Sequence, residues 1–76
     1  MNIGYVVNRI EKMITSCKTL DQLYITNKYC DMLVRKFCYR HNETTIKGLE
    51  THVNLVEFYY SIANPHLKRI KERNEN

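Results

Sequence analysis

The chain has 76 residues, 43% of them apolar and 26% charged, with a net charge of +4. That length suits one domain, residues 1–76, near the lower end of sizes that fold alone. No apolar run approaches the roughly 18 residues of a membrane span, and polar Asn8, Arg9, Glu11 and Lys12 interrupt the start of the chain too early for a secretory leader.

The first segment with helical periodicity runs from about residue 3 to 17. Ile3, Val6, Val7, Ile10, Met13, Ile14 and Cys17 fall on one stripe, with Asn8, Arg9, Glu11, Lys12, Thr15 and Ser16 opposite. This is an amphipathic helix with one buried face.

Thr19-Leu20-Asp21-Gln22 fits a capping box that opens a second helix, expected over 20–40. Asp21 suits the positive end of its dipole, and Arg35, Lys36 and Arg40 suit the negative end. Its core face carries Leu20, Leu23, Thr26, Cys30, Leu33, Val34, Phe37 and Cys38. A second stripe lies elsewhere on the same helix: Ile25, Tyr29, Met32 and Tyr39, with Lys36 among them. The i, i+4, i+7 spacing is that of helix anchors in a groove, and Tyr and Met are enriched at interfaces. The stripe therefore reads either as a docking surface or as a face covered within the monomer by the first helix or the C-terminal one.

After the polar break His41-Asn42-Glu43, with Asn42 or Thr44 as cap, a third helix is expected over 45–62. Gly48 within it lowers helix propensity and marks a close helix–helix approach. Ile46, Leu49, His52, Val53, Leu55, Val56, Tyr59, Tyr60, Ile62 and Ala63 span an arc of about 200°, against the roughly 100° a single buried stripe needs. A central helix touching both neighbours and the C-terminal segment accounts for that width. Phe58 falls in the polar strip beside Glu57 and Ser61 and is a second candidate binding anchor.

Asn64-Pro65 punctuates the chain, with Pro65 placed at the first position of a short fourth helix over 65–73. Leu67 and Ile70 give that segment an apolar edge among Lys68, Arg69, Lys71 and Arg73. The fold expected is all-α: a small antiparallel three-helix bundle with a short fourth helix after Pro65.

The chemistry-bearing residues are few. Cys17, Cys30 and Cys38 are an odd set, read as reduced thiols in a cytoplasmic setting. Cys38-x2-His41 resembles half of a zinc site, which Cys30 and His52 would have to complete. Eight residues of helix separate Cys30 from Cys38, however, putting their sulfurs more than about 10 Å apart. No metal or other cofactor is expected. Cys38 lies near Arg35, Arg40 and His41 but at a helix C-terminus, where the dipole disfavours a thiolate. No P-loop, nucleophile elbow or paired carboxylates in an apolar cleft appear, so neither catalysis nor a small-molecule substrate is expected.

Two basic clusters, Arg35 and Arg40 with Lys36, and Lys68, Arg69, Lys71 and Arg73 with His66, give an alternative reading as a nucleic-acid-binding module. Tyr39 stands between the first pair as a stacking residue. The start of the third helix lacks the exposed Arg, Asn or Gln row that reads bases. The leading expectation is thus binding to another protein or to a second copy of itself. Asn, Ile, Lys and Tyr make up 28 of 76 residues and Ala, Gly, Pro and Trp only 4. This AT-rich coding bias is compatible with a phage, viral or mobile-element source, in which case the setting is a host cytoplasm or virion.

Overall fold

The computed structural model describes residues 2–39 and 45–74. Three helices make up nearly all of it: α1 (Ile3–Thr15), α2 (Leu20–Cys38) and α3 (Ile46–Asn74). No strand occurs among the described residues.

Each helix begins on a side-chain cap. The Asn2 side chain accepts from the Tyr5 amide at 2.9 Å and Thr19 Oγ1 from the Gln22 amide at 3.1 Å. Each thereby satisfies one of the amides that an α-helix leaves unpaired in its first turn. Gln22 reaches back as expected, but its Oε1 accepts from the Lys18 amide at 2.7 Å, one residue outside the usual capping box. On α3 the cap is Thr45, whose Oγ1 accepts from the Gly48 amide at 2.9 Å. The expected caps Asn42 and Thr44 lie outside the described residues.

The core is a column of side chains from all three helices. Val6, Ile10 and Ile14 of α1 are wholly buried, and so is Ile70 at the far end of α3. Leu23, Cys30 and Val34 from α2 meet Leu55, Tyr59 and Ala63 from α3 around them, and Cys17 closes one end. Val7, Met13, Leu33, Phe37, Ile62 and Leu67 pack on the outside of that column, half-buried.

A separate fourth helix does not form. Pro65 lies inside α3, which continues through it to Asn74. Proline removes one helical amide and crowds the carbonyl four residues earlier, but the buried stripe keeps helical phase across it: Leu55, Tyr59, Ala63, His66 and Ile70 are all buried at i+3 and i+4 spacing. Core burial on both sides of the proline holds the helix continuous. His66, grouped by sequence with the exposed basic cluster, is instead buried, and its Nε2 lies 2.6 Å from the Cys17 carbonyl oxygen at the end of α1.

The second correction concerns surplus apolar surface. Leu20, expected on the core face of α2, is exposed, as are Ile3, expected on the buried stripe of α1, and Ile46, Leu49, Val53 and Tyr60 of the wide arc on α3. Both neighbours flank the first half of α3, with Asn2 and Cys38 near Gly48 and Cys17 farther on near His66. They pack on one side of it and leave the rest of the arc open, while the 29-residue α3 outruns the 13-residue α1. The molecule is accordingly elongated, 47 × 18 × 16 Å.

Gly48 does mark a close approach. A Cβ on it would stand 2.7 Å from the Cys38 carbonyl oxygen at the end of α2. No described helix is long and apolar enough to cross a membrane.

Candidate protein-interaction surfaces

The outer stripe of α2 lies open. Ile25, Tyr29 and Met32 are 54%, 60% and 52% exposed, and neither α1 nor α3 covers them. They sit together on α2 because residues three and four apart share one helix face, and that face points away from Leu23, Cys30 and Val34. Lys36 extends the same face and is exposed. Tyr39 leaves the stripe: it is half-buried, its hydroxyl shares a 2.7 Å hydrogen bond with His52 Nδ1, and its ring stands edge-on to the imidazole at 5.4 Å. That contact ties the end of α2 to α3. Phe58 is not an exposed anchor either, since it packs half-buried against the core.

A second and longer apolar surface runs along α3, and reading the segments separately missed it. Ile46 is 79% exposed, Val53 56% and Tyr60 52%, with Leu49 between them. Leu20 and Tyr24 of α2 extend it sideways across a groove whose far wall is Tyr60, Asn64, Leu67 and Lys71. The groove floor is formed by Leu23, Tyr59 and Ala63. The Lys28 ammonium lies 4.7 Å from the centre of the Tyr24 ring, a cation–π contact at the groove's edge. The signal was present in the sequence: Ile46, Leu49, Val53, Val56, Tyr60, Ala63, Leu67 and Ile70 recur at alternating steps of three and four, a heptad seam. Such a seam drifts about 20° per heptad around a straight helix. Its later members therefore reach the monomer core while its earlier ones face outward.

The charged candidates are dispersed. Arg35 pairs with Asp31 at 3.0 Å on the surface of α2, and Arg40 lies outside the described residues. Arg69 turns its guanidinium onto His66 Nδ1 at 3.2 Å. Lys68, Lys71 and Arg73 remain exposed on the last turns of α3. The structure therefore does not assemble the two basic clusters, as described, into one continuous patch.

Two of the thiols, Cys30 and Cys38, hold their protons more tightly than an ordinary thiol. Burial pushes the Cys30 thiol up to about 11, with the nearby Cys17 adding to the effect, and burial also raises Cys38. Both shifts run opposite to what a thiolate nucleophile needs. Tyr59, buried beside Cys30, is pushed up to about 12 by desolvation, with Cys30, Tyr60 and Cys17 contributing in the same direction. Among the described residues no group of three His, Cys, Asp or Glu side chains is placed to hold a metal; His41, half of the Cys38-x2-His41 pair, lies outside them.

Compared with known proteins, the chain matches no family model, and no significant similarity links it to a curated protein or to a solved structure.

Proposed function

We propose that this is a non-enzymatic helical protein that acts by apolar contact with another protein, a second copy of itself included. One observation carries the reading: eleven large apolar side chains are exposed among the described residues, as many as the apolar residues that are buried. Scattered exposed apolar residues are ordinary, but all of these except Ile3 and Tyr5 of α1 gather into the two surfaces above, and contiguous apolar patches mark interaction sites. We take Ile25, Tyr29 and Met32, with Lys36 beside them, as the surface for a different protein. Lys28 and Lys36 suit a partner whose apolar groove carries an acidic rim. A cytoplasmic or virion setting, with a host factor or virion component as partner, fits this reading.

We also read the helix order as antiparallel between neighbours. The Cys17–Thr26 contact at 3.2 Å joins the end of α1 to the start of α2. The Tyr39–His52 contact joins the end of α2 to the early part of α3.

The test uses the intact protein as bait in an extract of its own cell. Tyr29→Asp and Met32→Asp are expected to keep the helical circular dichroism and melting temperature of the wild type while losing the retained protein. Unfolding of both variants would place the stripe in the core, and equal retention would move the surface elsewhere. Retention abolished by nuclease and by moderate salt would instead favour nucleic acid held by Lys68, Lys71 and Arg73, because phosphate contacts release counterions and weaken steeply with salt.

A further inference from the structure

The outward edge of α3 carries opposite charges on its two halves. Glu50 and Glu57 lie beside Leu49 and Val53 in the first half; Lys68 and Lys71 lie beside Leu67 in the second. All four are exposed, and among the described residues the one ion pair is Arg35–Asp31, so none of the four has an opposite charge within 4 Å there. Tyr60, half exposed, stands at the middle of the helix.

We propose that two copies of this chain pair through the exposed face of α3, the two helices lying antiparallel and crossing at Tyr60. The proposal rests on the association reading above and deepens it by naming occupant and geometry. An isologous two-fold contact brings each residue opposite a symmetry-related one and repeats every pair twice. With the axis beside Tyr60, Glu50 lies opposite Lys71 of the second copy, and Glu57 opposite its Asn64. Glu50, Glu57, Asn64 and Lys71 are the heptad positions that flank the seam and pair with one another across antiparallel helices. Parallel, in-register packing would instead put these positions on opposite sides of the seam and leave Glu50 without Lys71. The first half of α3, apolar at Ile46, Leu49 and Val53, then lies over the partner's Leu67 and the aliphatic stems of its Lys68 and Lys71. Leu20 and Tyr24 extend the contact across the groove. The α2 stripe remains free in such a dimer for a different protein.

The test is sedimentation velocity of purified protein over a concentration series. Wild type is expected to pass from monomer to dimer. Glu50→Lys and Lys71→Glu should each weaken the dimer about tenfold, since symmetry counts the altered pair twice. The double exchange Glu50→Lys/Lys71→Glu should return the affinity to within about threefold of wild type, because the pair is restored with its signs reversed. Tyr60→Asp should leave a helical monomer. A wild-type monomer at all concentrations overturns the self-pairing while leaving a different partner at α2 untouched. A dimer that ignores both single exchanges and Tyr60→Asp overturns it as well and moves self-association to another face.

Discussion

The imidazole of His66 bridges two parts of the chain 49 residues apart: Nε2 lies 2.6 Å from the Cys17 carbonyl oxygen, and Nδ1 lies 3.2 Å from an Arg69 guanidinium nitrogen. A carbonyl only accepts and a guanidinium only donates, so Nε2 carries the proton, Nδ1 accepts, and the ring is neutral in this arrangement. The bond satisfies the carbonyl of Cys17, in the turn just past α1, and pins the second half of α3 onto that turn. His66→Ala is expected to cost about 1–3 kcal/mol, the range for a buried partner left unsatisfied. His66→Gln, whose amide nitrogen donates from a similar reach, should lose less. Urea unfolding midpoints of the three proteins check this; an alanine variant as stable as wild type would remove the clamp from the fold's supports.

Pro65 is a cost that core packing overrides. A proline in a helix interior is about 3 kcal/mol less favourable than alanine, and one at the first position of a helix carries little penalty. Pro65→Ala is therefore expected to stabilise by about 1–3 kcal/mol, raising the melting temperature by several degrees. An unchanged melting temperature would mean that a new helix begins at Pro65.

At Gly48 the usual gain from removing a helical glycine reverses. Alanine offers up to about 1 kcal/mol of helix propensity, but its Cβ would stand 2.7 Å from the Cys38 carbonyl oxygen and 3.0 Å from Thr45 Oγ1. Backbone cannot yield as a flexible side chain does. Gly48→Ala is expected to destabilise by about 1–2 kcal/mol, in line with other overpacked sites, as read from thermal melts. A rise in melting temperature would show that the ends of α2 and α3 separate easily.

Alkaline pH should weaken the fold through Cys30 and Tyr59. In the unfolded chain the thiol ionises near its ordinary value of 9.0; in the folded protein desolvation holds its proton to about 11. Between those values the unfolded state binds fewer protons than the folded one, so stability falls as pH rises. It is fully present below pH 9 and declines toward pH 11, by an amount on the order of 2 kcal/mol. Tyr59, raised from 10.0 to about 12, extends the decline upward. Urea midpoints measured from pH 8 to 11 should fall for wild type and fall less steeply for Cys30→Ala. Parallel slopes would contradict the role of Cys30.

Much of this fold was legible because local signals and burial agree. The α1 stripe predicted the buried Val6, Ile10 and Ile14, the Thr19 box predicted the start of α2, and Gly48 predicted the tight approach. Pro65 is a local breaker that by itself points to a helix start; the phase of the apolar residues around it decides otherwise. Leu55, Tyr59 and Ala63 continue into His66 and Ile70 without a shift, which a new helix has no reason to preserve. The α2 stripe at Ile25, Tyr29 and Met32 was visible as period alone. Tyr39 and Phe58 were not placed correctly because their fate depends on His52 and on the core, contacts no single-helix pattern contains. The open α3 face was hidden for the same reason: an apolar arc shows what a helix is able to bury, and only the placement of its neighbours shows which side stays uncovered.

The most direct measurement is a dilution series of two-dimensional amide NMR spectra on the purified chain. Self-pairing through α3 requires concentration-dependent shifts at Leu49, Val53, Glu57, Tyr60 and Lys71, with Leu20 and Tyr24 beside them, while Ile25, Tyr29 and Met32 stay fixed. Spectra that do not change with concentration, or changes gathered on Ile25, Tyr29 and Met32 instead, would contradict it.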